Sequence, residues 1–105
     1  MRVVETPIFT KIITRLLDDE DYRSLQIALM LRPEQGPIIR GTGGLRKVRW
    51  AKAGSGKRGG LRLIYYWAPT ETAFYMLYAY AKNEQDDLTL SQARMLGQLV
   101  REEFK

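Results

Sequence analysis

Between Gly41 and Trp67 the chain carries seven lysines and arginines, seven glycines and no acidic residue. Lys47, Arg49 and Arg62 stand in two strand-like segments of this stretch, "LRKVRWA" and "LRLIYYW". Guanidinium groups bind phosphate through two parallel hydrogen bonds and stay charged at any relevant pH. A lysine crowded by other cations and partly removed from water becomes a candidate for proton transfer. Three cations on adjacent strands repel one another, and an anionic partner relieves that cost. The chemistry these residues suit is the handling of a phosphate.

Composition narrows the mechanism further. The 105-residue chain has no cysteine and no histidine, which removes thiolate nucleophiles, zinc–thiolate sites and the commonest general base. Catalysis must rest on Lys, Arg, Tyr, Asp or Glu, with no metal and no cofactor expected. The net charge of +5 is unevenly placed: Gln35 to Thr70 holds eight basic residues and no acid, while the other 69 residues hold nine basic against twelve acidic. A mildly acidic body with one basic patch points to nucleic acid. Hydrophobic residues at 45% and charged residues at 28% are globular proportions, and the length suits one domain over residues 1–105. No apolar run approaches the roughly 20 residues that span a bilayer. The start, "MRVVETPIF", lacks a signal-peptide core, so the expected location is the cytoplasm, with no membrane partner.

The elements that must position these side chains follow from caps and periodicity. "VVE" is a short β-prone start. Thr6-Pro7 reads as an N-cap with proline at the first helical position, and Ile8, Phe9, Ile12, Ile13, Leu16 and Leu17 form one helix face to about Leu17. Asp18 or Asp19 caps a second helix with Tyr22, Leu25, Ala28 and Leu29 as its apolar stripe, ended by Arg32-Pro33. Strands are expected over Leu45–Ala51, Leu61–Trp67 and Ala73–Tyr80, joined by connections short enough for antiparallel pairing. In the first of these, alternation puts Val48 and Trp50 on one face and Lys47, Arg49 and Ala51 on the other. Thr89 with Gln92 is a capping box opening a last helix near Leu90, with Gly97 a weak point inside it. The fold class is α+β: an antiparallel sheet with two N-terminal helices packed on one face and a C-terminal helix.

Other motifs take blander readings. "GSGKRG" (Gly54–Gly59) matches the letters of a dinucleotide fingerprint but leads into a strand instead of a helix, and Arg58 stands where a phosphate-binding P-loop has Ser or Thr. A basic hairpin loop carrying Lys52, Lys57 and Arg58 is the better reading. Tyr65, Tyr66, Trp67, Phe74, Tyr75, Tyr78 and Tyr80 are mostly core aromatics, with one or two free to stack on a base. Glu84, Asp86 and Asp87 read as a polar turn, and Lys82 continues the parity of Tyr80 at the end of the sheet.

Three blocks, "GTGGLRKVRWA", "GKRGGLRLIYYW" and "YAKNEQDDL", together resemble the RelE/ParE superfamily of toxins, in particular its HigB-like branch, over essentially the whole chain. The resemblance implies a RelE-like fold and a type II toxin–antitoxin toxin that cleaves mRNA on the ribosome as a metal-independent endoribonuclease. It implies Lys47, Arg49, Arg62 and Lys82 as catalytic residues, with Arg46, Lys52, Lys57, Arg58 and Tyr80 contacting RNA. Lys47 is the candidate base and Lys82 the candidate acid or second phosphate contact, the two roles being open to exchange. The implied partners are the ribosome, mRNA and a cognate HigA-like antitoxin with a helix-turn-helix domain. The chain departs from the family pattern at Asn83, where many members have arginine, and at Leu88, where a tyrosine is usual. Two alternatives stand beside this reading: a non-catalytic basic nucleic-acid-binding module, and a ParE-like toxin directed at gyrase.

Overall fold

The computed structural model describes residues 1–51 and 60–104. The element order is β1 (Arg2–Glu5), α1 (Pro7–Leu16), α2 (Asp19–Leu31), β2 (Arg46–Trp50), β3 (Leu61–Ala68), β4 (Ala73–Ala81) and α3 (Leu90–Phe104). Among the described residues no helix is long and apolar enough to cross a membrane.

Each helix starts where its capping chemistry dictates. The Thr6 side chain accepts a hydrogen bond from the Phe9 amide at 3.1 Å, with Pro7 in the first turn where its missing N–H costs nothing. Asp18 accepts from the Asp21 amide at 2.8 Å, and Asp19, Glu20 and Asp21 lie at the positive end of the helix dipole. At α3 the capping box is complete in both directions: the Thr89 hydroxyl accepts from the Gln92 amide and the Gln92 side-chain oxygen accepts from the Thr89 amide, both at 3.0 Å.

The sheet order is β1-β4-β3-β2. β2–β3 and β3–β4 pair antiparallel as expected, but β1 runs parallel to β4, with Val3 beside Phe74 and Val4 beside Tyr75. The sheet is therefore mixed, a correction to the all-antiparallel expectation. Two successive hairpin reversals leave β4 parallel to β2, and the chain reaches β4 from β1 only after a long crossover that includes both helices, which is what parallel pairing requires. A register shift between Ile64 and Tyr65 leaves Leu77 as an extra residue in β4, and its side chain is buried.

Both faces of the sheet are covered. On one, Phe9, Ile13 and Leu17 with Leu25 and Leu29 of α2 pack against Val48, Leu63, Tyr65, Phe74 and Met76. On the other, Val100 of α3 closes over Leu45, Ile64, Leu77 and Tyr80. Each fully buried large aliphatic or aromatic side chain contributes roughly 1.5–3 kcal/mol, so both layers are needed. The loop before β2 seats α3. Gly41, Gly43 and Gly44 have positive φ (78°, 77° and 117°), a conformation glycine adopts without strain. The buried Thr42 hydroxyl donates to Ile39 O at 2.6 Å and accepts from the Leu45 amide at 3.2 Å. Gly97, expected to weaken α3, has a packing reason: a Cβ there would lie 3.2 Å from the Thr42 Cα.

Candidate active site

Strand register assembles the cations. Arg49 of β2 lies directly across from Arg62 of β3, and Arg62 directly across from Tyr80 of β4. One step along, Lys47 lies across from Ile64, and Ile64 across from Tyr78. One step the other way, the Lys82 amide bonds to Gly60 O at 3.0 Å. Lys47, Arg49, Arg62, Tyr80 and Lys82 thus form one patch at the end of the sheet, on the α3 side. The expectation of one core face and one cationic face needs amending, because Ile64 and Tyr80 on this side belong to the α3 core.

The cations differ in their partners. Among the described residues Arg62 Nη1 donates to Leu61 O, at 3.3 Å, and neither Arg49 nor Arg62 forms an ion pair with a carboxylate. Lys82 Nζ donates to Asp86 O at 3.2 Å. Arg46 falls on the opposite face, with Val48. Its guanidinium donates to Glu34 O at 3.1 Å and Gly36 O at 2.9 Å and pairs with the Glu34 carboxylate at 3.7 Å. The structure thus places Arg46 apart from the other cations, tying down the turn before β2. Lys52, Lys57 and Arg58 lie outside the described residues.

Asp87 is the residue that sequence reasoning missed. Its Oδ1 accepts from Lys47 Nζ at 3.1 Å, from the Tyr80 hydroxyl at 3.4 Å and from the Leu88 amide at 2.8 Å. The acids after β4 are more than the polar turn read from the sequence: one of them, forty residues from Lys47 in sequence, reaches the patch. The Lys47 ammonium, followed by the Leu88 amide, holds the Asp87 carboxyl below its ordinary range. Burial, reinforced by the charge of Asp87, pushes the Tyr80 phenol up to about 12, so it remains a neutral donor. The available signal was the crowding itself: a cluster of like charges calls for a counter-charge, and the acids after β4 leave the strand at the same end as Lys82. Leu88, where the family has tyrosine, packs against the α3 core.

An open cleft of about 360 Å³, lined by Gln35, Gly36, Pro37, Lys47, Val48 and Arg49, runs along the outer edge of β2 beside this patch. A larger one, about 530 Å³, lies on α2 against Asp19, Glu20 and Arg23, where the acids suit it poorly to a phosphate.

The architecture is that of small toxins of toxin–antitoxin pairs. A solved structure of E. coli toxin RelE in the free state, with two arginines replaced by alanine, superposes with a TM-score of 0.60 at 13% identity, covering 89% of this chain and 93% of that one. The intact E. coli RelBE toxin–antitoxin complex gives 0.53 at 16% identity, covering 73% of this chain and 90% of the matched chain. At such identities the likeness is one of fold. Residues 1–104 match the family described as "RelE toxin of RelE / RelB toxin-antitoxin system", and the chain belongs to that family.

Proposed function

We propose that this toxin is a ribosome-dependent mRNA endoribonuclease that works without a metal. The observation that carries the reading is the cross-strand pairing of Arg49 with Arg62, two guanidiniums without a carboxylate partner among the described residues. Like charges directly opposite each other destabilise a sheet, and a phosphate between them converts that cost into binding.

The reaction follows from the groups present. A ribose 2′-oxygen attacks its own 3′-phosphorus, the new P–O2′ bond forms as the P–O5′ bond breaks, and the products are a 2′,3′-cyclic phosphate and a 5′-hydroxyl end. The protein aligns the two oxygens, takes the 2′ proton, returns one to the 5′-oxygen and stabilises the charge growing on phosphorus. Arg49 and Arg62 serve the last task. Lys47 and Lys82 serve proton transfer. Lys47 donates to the Asp87 carboxylate whereas Lys82 donates to a backbone oxygen, and a neighbouring carboxylate favours the charged form of an ammonium, which supports Lys47 as the donor to the leaving oxygen and Lys82 as the acceptor, the exchange of roles that the sequence left open. Lys52, Lys57 and Arg58 contact the RNA backbone; Tyr80, 4% exposed in the α3 core, acts through the hydroxyl it donates to Asp87 and not as the RNA contact expected, and Arg46 supports the cleft wall. Few base-reading groups stand in the patch, which suits mRNA presented already extended in the ribosome's decoding centre.

The same basic surface fits an antitoxin that is acidic where it covers the patch. On the HigB-like resemblance, that partner carries a helix-turn-helix domain, and both proteins act in the cytoplasm beside the ribosomes. The test is brief induction in cells with primer extension on translated transcripts. Cuts confined to translated regions, absent from the same RNA without ribosomes, are expected. Intact mRNA together with gyrase-linked DNA breaks would instead assign the toxin to the ParE-like class, and intact mRNA and DNA alike would leave a binding module.

A further inference from the structure

The segment between β4 and α3 carries Lys82 and Asp87 but has no regular structure of its own. Its backbone anchors are concentrated at the start, where the Glu84 and Gln85 amides bond to Ala81 O at 3.0 and 3.1 Å. Beyond that turn, a ring of side chains holds it. The Tyr78 hydroxyl donates to Gln85 Oε1 at 3.3 Å, Gln85 Nε2 donates to Gln92 Oε1 at 2.7 Å, and Gln92 Nε2 donates back to the Tyr78 oxygen at 3.0 Å. Each member gives and takes one bond in the same rotational sense, an arrangement in which each bond polarises the next. Gln85 Nε2 has a second proton, and it goes to the backbone oxygen of Asp87 at 2.8 Å. Gln85 therefore links β4, the first turn of α3 and Asp87 through one amide, using both its donor and its acceptor.

We infer that Gln85 is a positioning residue of this active site: through the ring with Tyr78 and Gln92 it fixes the Asp87 backbone, and so holds the Asp87 carboxylate against Lys47 and Tyr80. The inference rests on the nuclease reading for its catalytic consequence, but not for its structural one. Without the ring, the neighbours of Asp87 keep their anchors, Asp86 O on Lys82 and Leu88 in the α3 core, but Asp87 itself is left with the contacts of its own exposed side chain, 70% accessible, and exposed ion pairs are worth about 1 kcal/mol at most. Such a contact does not hold a loop by itself. The ring does, and a misplacement of about 1 Å in a catalytic group costs up to roughly a hundredfold in rate.

Gln85→Met tests this at constant charge and similar length, and Tyr78→Phe opens the ring at a single hydroxyl. The charged and titratable groups around the Asp87 carboxylate are Lys47 from β2, Tyr80 from β4, Arg62 of β3 acting through Tyr80, and Lys82 and Asp86 on its own segment. All are unchanged in both variants. The titration of Asp87, followed by side-chain carboxyl NMR, is expected to move up toward that of an ordinary aspartate in Gln85→Met, and in the same direction by less in Tyr78→Phe. Single-turnover cleavage on ribosomes is expected to fall about tenfold to a hundredfold in Gln85→Met. Asp87→Asn should show a comparable fall, and adding Gln85→Met to it should cost less than about twofold more, since the two act as a unit. An unmoved Asp87 titration in both ring variants overturns the inference, as does a full additional loss in the double variant. A protein that cleaves nothing removes the nuclease reading, while the NMR titration still decides whether Gln85 places Asp87.

Discussion

Replacing Lys47 by arginine separates proton transfer from simple attraction at this site. Arginine keeps the positive charge and can still reach a carboxylate, but it does not exchange a proton at any relevant pH. The Lys47–Asp87 pair spans 3.1 Å with the two side chains 33% and 70% exposed, so it is worth about 1 kcal/mol at most. If Lys47 only attracts phosphate, the change therefore alters cleavage by no more than about fivefold. A proton-transfer group contributes about a hundredfold to ten-thousandfold, which corresponds to roughly 3 to 5 kcal/mol of barrier. The two accounts differ by a factor of about twenty or more. The assay is single-turnover cleavage of a defined mRNA on programmed ribosomes, with ribosome binding measured separately by sedimentation and folding checked by thermal melting. A loss of a hundredfold or more with binding little changed is expected, and Lys47→Ala should be at least as damaging. An arginine variant that cleaves within about threefold of the parent refutes the proton-transfer role and moves it to Lys82 or Tyr80.

Arg62→Ala removes a guanidinium whose recorded bond is a long one to Leu61 O, so the melting temperature should hold while cleavage falls by roughly 1.5–3 kcal/mol of lost charge-assisted bonding, about tenfold or more; equal toxicity at matched expression would take Arg62 out of the site. Cleavage should survive excess EDTA when ribosomes are kept intact, since the chain has neither histidine nor cysteine and the described residues hold no cluster of acids that could bind a metal; metal rescue of a sulfur-substituted phosphate would count against this. Burial also raises Tyr22 and Tyr65, as it does Tyr80, which lies at about 12. The stability these phenols contribute is full below the unfolded value of about 10 and is lost as the pH climbs through the folded values; a tyrosinate titration of the folded protein with all six tyrosines ionising together near 10 would contradict it. Gly97→Ala gains about 1 kcal/mol of helix propensity but presses a methyl to 3.2 Å from the Thr42 Cα, and overpacking costs about 1–3 kcal/mol; a lowered melting temperature is expected, and a raised one would show that the Thr42 loop yields.

What the sequence revealed was local. Thr6-Pro7, Asp18, Arg32-Pro33 and the Thr89–Gln92 box each act within four residues; every helix begins within a residue or so of where they place it, and α2 ends just before Arg32-Pro33. Alternation correctly put Val48 in the core and Arg49 outside it, and the same alternation separates Arg46 from Lys47. What stayed hidden depends on partners distant in the chain. The parallel seat of β1 on β4, the approach of Asp87 to Lys47 and the fit of Gly97 on Thr42 all join segments whose own composition carries no trace of the other. A turn of acids after a strand looks the same whether it faces water or a lysine.

The seat of β1 bears on when this toxin becomes dangerous to the cell that makes it. The first strand has no place to dock until Ala73–Met76 exists, and the patch is incomplete until Asp87 and the start of α3 have been made. Long-range pairings of this kind give high contact order and slow folding. A nascent chain still being translated thus exposes basic strands without an assembled patch, which can form only after the residues up to Asp87 have been made. Pulse-labelled chains probed by protease during translation should gain resistance only after β4 has left the ribosome; early protection of β1 would contradict that timing.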